Sequence, residues 1–135
     1  MKSLTKTLIA LFTLLFLFSS YGQNQIVTNP IITLTKKEGN CKLELSDSGL
    51  TRTNGNNVVT WVCGNGVSEI LEIFYKSGDN VFQIEPQIKN PNNANSDWFG
   101  ITKNTKDKLT EDYGIKWKDS DGNVCVLDPT VKINH

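Results

Sequence analysis

Imidazole and thioether are all but missing from this 135-residue chain: its one histidine is the terminal His135 and its one methionine is Met1. A Ser-His-Asp or Cys-His arrangement needs an imidazole held in packed surroundings, and a multi-histidine zinc or copper site needs several. Neither can be assembled here. Charge of one sign is not in excess either, with 14 basic and 14 acidic residues and a formal net charge of zero. No global field therefore favours nucleic acid or an acidic surface. Glycine-rich phosphate loops are absent, and the basic residues are too dispersed to form a nucleic-acid face. The composition calls for no cofactor and no metal, and the length allows one ordinary domain without internal repeats.

What is present begins with an address. Lys2 and Lys6 precede an apolar run from Leu8 to Phe18, broken only by Thr13, and Ser19, Ser20, Tyr21 and Gly22 follow. This is the layout of a secretory signal peptide over residues 1–22, with cleavage after Gly22. The run is shorter than the ~18 residues of a spanning helix, so no membrane span is expected in the mature chain. The first cysteine is Cys41, too far on to be a lipidated N-terminal residue. A secreted or periplasmic protein is expected. Loss of Lys2 and Lys6 leaves 12 basic against 14 acidic groups, a charge of −2.

Residues 23–30 form a loose lead-in, and residues 31–135 read as one β domain. Short apolar runs alternate with turn clusters. Ile31–Thr35 is β-branched and extended. Cys41, Leu43 and Leu45 alternate with Lys42 and Glu44, which predicts a strand with Cys41 on its buried face. Leu50–Arg52 is a short extended step, and Asn54-Gly55 a turn. Val58–Cys63 is apolar on both sides and so central. Ser68–Tyr75 and Val81–Ile84 are further strands. Lys89–Asp97, with Pro91 and four asparagines, is the longest unstructured-looking stretch, and Trp98–Thr102 follows it as a strand. Asn104–Asp112 is polar, with room for one helical turn.

Tyr113, Ile115 and Trp117 alternate with Gly114, Lys116 and Lys118. Asp119–Asn123 then turns the chain into Val124–Leu127. A four-residue turn would set Trp117 opposite Val124 and Ile115 opposite Val126 on the core face, with Cys125 pointing away. Val131 and Ile133 continue beyond an Asp128-Pro129 bend. Seven or eight strands without a helix predict an all-β, two-sheet Greek-key sandwich.

The stretch Leu43–Trp61, a strand leading through an extended step and glycine turn to Val59-Thr60-Trp61, resembles the opening of cupredoxin-like domains. Tyr113-x-Ile115-x-Trp117, the hairpin and the Asp128-Pro129 strand are similar to small secreted cupredoxin-like or immunoglobulin-like β-sandwich proteins of Bacteroidota. The resemblance implies fold and not activity. A cupredoxin copper site takes two imidazoles, a thiolate and an axial thioether. Gly64-Asn65-Gly66 stands where a histidine would be expected, so copper chemistry does not carry over.

Three cysteines in an exported chain suggest one disulfide and one leftover thiol. The cupredoxin-like neighbour relation implies Cys41 beside Cys63, leaving Cys125 as a free thiol for another chain. Cys63–Cys125 is the rival pairing, and three reduced cysteines the third possibility. The Asp119–Asn123 run invites a calcium reading, but the twelfth position is Thr130 where an EF-hand places glutamate. Trp98, at the edge of the Asn-rich loop, is the candidate binding aromatic, with Asn93 and Asn95 supplying amides; its alternative is to anchor the loop into the core. Trp61 and Trp117 read as core.

These features predict a non-catalytic binding or interaction module that recognises a protein or glycan partner at the cell envelope. A structural or accessory subunit of an envelope complex, assembling through Cys125 or an edge strand, is the alternative. A hydrolase built on carboxylates, such as Glu69 with Glu72 or Asp119 with Asp121, is a third.

Overall fold

The computed structural model describes residues 26–133. The expected signal peptide, the first residues of the lead-in and His135 lie outside the described residues. Ten strands form two sheets: β1 Ile31–Lys36, β2 Leu43–Leu45, β3 Leu50–Thr53, β4 Val58–Cys63, β5 Val67–Gly78, β6 Phe82–Ile88, β7 Trp98–Thr102, β8 Leu109–Asp119, β9 Val124–Leu127 and β10 Thr130–Ile133. The first sheet runs β2-β1-β4-β7-β6. The second runs β3-β10-β8-β5, with β9 beside β10 on the same edge of β8. The chain changes sheet between β2 and β3, β3 and β4, β4 and β5, β5 and β6, and β7 and β8. Both sheets are mixed, since β1 pairs parallel with β4 and β3 parallel with β10. The sandwich is as expected, with more strands. The polar stretch before Tyr113 holds no helical turn, and its end starts β8.

Period-2 alternation decides what is inside. Ile32 and Leu34 of β1, Val59 and Trp61 of β4, and Tyr113, Ile115 and Trp117 of β8 point between the sheets and are buried. Each such side chain contributes about 1.5–3 kcal/mol by leaving water. Trp61 packs edge-on against Tyr113, ring centres 5.7 Å apart, and its Nε1–H donates to the Tyr113 hydroxyl at 3.1 Å. This bond joins the sheets in the middle of the core. Burial pushes the Tyr113 hydroxyl above its ordinary pKa, so it stays protonated.

The β8–β9 hairpin corrects the expected register. Asp119 N–H donates to Asn123 O, Gly122 N–H to Asp119 O, and Lys118 and Trp117 face Val124 and Cys125. The loop is therefore three residues, Ser120-Asp121-Gly122, with Gly122 at φ 89° as the left-handed residue such loops require. A one-residue slip exchanges the faces. Cys125 turns inward and is 3% exposed, whereas Val124 and Val126 face solvent.

The disulfide is corrected with it. Cys41 bonds Cys125, and Cys63 is the free thiol. The expected Cys41–Cys63 pair fails because β1 lies between β2 and β4. Two strand spacings, about 10 Å, exceed what a disulfide spans. Nor does Cys41 begin β2: it occupies the preceding turn at φ 56°, with Lys37 N–H donating to Lys42 O across the loop. Its alternation with Leu43 therefore ends, and the sulfur reaches over to the second sheet.

On the outer side of the second sheet, Phe74 lies over Gly114, its register partner. A Cβ at Gly114 would fall 2.1 Å from the Phe74 ring. Gly114→Ala is expected to cost about 1–3 kcal/mol by overpacking. Urea unfolding of Gly114→Ala, Phe74→Ala and the double variant checks this, since the double variant should cost less than the sum. The Cys41–Cys125 bond spans 84 positions and by chain entropy should stabilise by about 4–5 kcal/mol. Alkylation of the unreduced, denatured protein should label one cysteine, Cys63, and the double serine variant at Cys41 and Cys125 should lose that stability in urea.

Candidate functional site

The Asn-rich segment is an ordered connection between β6 and β7. Lys89 N–H donates to Asp97 O, and Asn90 N–H to Ser96 Oγ, which closes the loop. Inside it, Asn90 Oδ1 accepts from Asn92 N–H and Asn93 Oδ1 from Asn95 N–H, two successive Asx turns. Asparagine at these positions shapes the backbone. Asn93 and Asn95 are exposed, and among the described residues the Asn95 side chain has no internal hydrogen bond. Trp98 is placed differently. Half-buried, it packs against the core and donates from Nε1 to Ile70 O of β5 at 3.1 Å. Its indole N–H is spent on joining the sheets, which is the anchoring alternative.

Because Trp98 points inward, its neighbour Phe99 points out. The register carries this face across the first sheet: Ile31 pairs Thr60, Thr60 pairs Phe99, and Phe99 pairs Gln87. A second row is Val58, Ile101 and Ile84, and a third holds Thr33 and Val62. None of these side chains is charged. Ile31 is 66% exposed. The pairings among β1, β4 and β7 show no register shift, so this face is unbroken. The opposite face of the molecule differs sharply: Glu69, Glu72, Lys116, Lys118, Arg52 and Lys132 stand across β5, β8, β10 and β3. Phe99 was not singled out from sequence, although Trp98-Phe99 on one strand requires one ring in and one out.

Three of the four acidic candidates, Asp119, Asp121 and Glu69, are held in ion pairs. Asp119, 1% exposed, accepts at Oδ1 from Asp121 N–H and Asn123 N–H, and at Oδ2 from Asn123 Nδ2–H and Lys36 Nζ at 2.8 Å. Lys36 also reaches Asp121 Oδ2 at 2.9 Å. The carboxylates suggested for calcium thus converge on an ammonium from the other sheet. Hydrogen bonds, Lys36 first, hold the Asp119 carboxyl far below its ordinary pKa and raise that of Lys36. Glu69 pairs with Lys118 at 3.0 Å. Among the described residues, no three His, Cys, Asp or Glu side chains gather as a metal cluster. The free Cys63 is half-buried, and burial pushes its thiol up, against an Ile70 backbone hydrogen bond. It is a thiol at neutral pH and a weak nucleophile.

Glu111 is the buried acid that the sequence reading passed over. It lies on the inner stripe of β8, 1% exposed, and accepts from Val81 N–H at 2.7 Å. Burial pushes its carboxyl up to about 6; the Val81 bond and Lys103 oppose this and Glu85 adds to it. Its folded pKa lies above the unfolded value, so folding takes up a proton. That contribution is complete below about pH 4.5 and disappears as pH rises through about 6, a change of about 2 kcal/mol. Wild-type stability relative to Glu111→Gln should fall by that amount between pH 4.5 and 7. Urea unfolding at both pH values measures it, and Asp119, acting only below its ordinary pKa, does not enter this window.

No protein-family model matches the sequence, and no curated protein matches it at a significant level.

Proposed function

We propose that this is an exported, non-catalytic binding module that holds an envelope partner on the outer face of its β2-β1-β4-β7-β6 sheet, with the Asn-rich loop at the border. The observation that carries the reading is the uncharged field of Ile31, Thr33, Val58, Thr60, Val62, Phe99 and Ile101, unbroken across β1, β4 and β7, with Ile84 beside it on the bulged edge strand β6. Ile31 and Ile84 are exposed and the rest of the field is half-buried; contiguous apolar surface of this kind is where soluble proteins meet partners. Export is supported by the signal-type segment at residues 1–22 and by the disulfide, a bond that persists in oxidising compartments. Asn93 and Asn95 act as rim amides. Trp98 serves by fixing the loop and by setting Phe99 outward.

Assembly as a structural subunit is less well supported. Cys125 is occupied within the chain, and the edges are guarded. The edge strand β6 contains Pro86 and two register shifts, β5 carries three, and β2, β3 and β9 are three or four residues long. A charge placed on the proposed face should therefore matter more than one changed elsewhere. Thr60→Arg is expected to abolish retention of the partner from native envelope extract, while Lys116→Glu on the opposite sheet leaves it intact. Quantitative pull-down with both variants, each checked for its melting temperature, tests the reading; equal retention by Thr60→Arg defeats it.

A further inference from the structure

We infer that the occupant of this face is an extended, uncharged polysaccharide; the inference rests on the binding role proposed above and names the chemistry of its partner. Three observations carry it. Charge comes first: no acidic or basic side chain stands in the Ile31–Thr60–Phe99–Gln87 row or the Val58–Ile101–Ile84 row, in a chain with 14 residues of each sign. A charged ligand would be desolvated there without a counter-charge, at a cost a neutral one avoids.

The second observation is hydrogen-bonding capacity left open. Inward or turn-facing hydroxyls are used internally: Thr51 Oγ1 donates to Asp47, Thr53 Oγ1 accepts from Asn57 Nδ2–H, and Thr102 Oγ1 donates to Asn54 O. By contrast, Thr33, Thr35 and Thr60 on the outer face make no internal side-chain hydrogen bond among the described residues, and neither does Gln87. A purely apolar partner would leave these groups unmatched, whereas sugar hydroxyls both donate and accept.

The third is spacing. The row crosses four adjacent strands, β1, β4, β7 and β6, each about 4.8 Å from the next. That step is close to the advance of one pyranose along an extended chain. Phe99 lies inside the row, between Thr60 and Gln87, where its ring can stack on the C–H face of a sugar. The Asn93 and Asn95 amides border the same β6–β7 hairpin.

Affinity gel electrophoresis of the exported full-length product, in gels containing hydroxyethylcellulose, glucomannan or mixed-linkage β-glucan, tests this. Polygalacturonate and hyaluronate serve as anionic counterparts. Retardation by a neutral polysaccharide is expected, insensitive to salt, weakened about tenfold by Phe99→Ala and lost in Thr60→Arg, with Lys116→Glu unchanged. Should Phe99→Ala unfold, Thr60→Arg alone decides. Retardation only by the anionic polymers, or by none, overturns the inference. If no polysaccharide binds while an envelope protein is retained by wild type and released by Thr60→Arg, the sugar assignment fails and the binding face stands. Neutral-glycan binding untouched by Phe99→Ala and Thr60→Arg overturns the face itself, and absence of any partner overturns both.

Discussion

The inner stripe of β8 is the surface against which the rest of the sandwich is assembled. Leu109, Glu111, Tyr113, Ile115, Trp117 and Asp119 face inward in strict alternation, apolar in the middle and acidic near both ends. The middle supplies burial, and the ends and Tyr113 supply direction. Asp119 takes Lys36 from β1, Tyr113 takes Trp61 from β4, and Glu111 takes the Val81 N–H at the entry to β6. Hydrophobic packing alone would tolerate the sheets sliding over one another. Three polar contacts at separate points along one strand fix their relative position, because a buried carboxylate or hydroxyl displaced from its partner is costly. Trp98 to Ile70 and the Cys41–Cys125 bond add two further ties between the same sheets.

Much of this was legible. Val58–Cys63 is extended where alternating, β-branched sequence puts it, and the inward set of Tyr113, Ile115 and Trp117 follows from period 2 alone. Carried two residues further either way, the same rule reaches Glu111 and Asp119. They were not read as buried because an isolated carboxylate in a core is improbable until its partner is seen, and Lys36 lies 83 positions away. Sequence displays the stripe but not the long-range cation that makes its end affordable.

The cysteines show a different limit. Their pairing depends on two local conformations and one strand order, none of which is a matter of composition. A three-residue turn instead of four reverses Cys125, and a left-handed residue at position 41 takes Cys41 out of its strand. The interposition of β1 then removes Cys63 from contention. Apolar content was the same under either register, since Val124 and Val126 could have filled the core as well as Cys125. The hairpin is decided by Asp119, whose carboxylate collects Asp121 N–H and Asn123 N–H and so closes the tighter loop.

The candidate surface follows from how this molecule spends its polar groups. Every edge strand is short or bulged, so addition of another strand is disfavoured. The second sheet's outer face carries cross-strand ion pairs such as Glu69–Lys118, which keep it solvated. Only the first sheet's outer face has neither charge nor bulge through its three central strands. Trp98 and Phe99 express the division on one strand: the larger ring, with an N–H to satisfy, goes between the sheets, and the ring without a donor goes out. On this face nine positions joined by register are Ile, Thr, Val, Phe or Gln, and the binding role proposed above rests on that run.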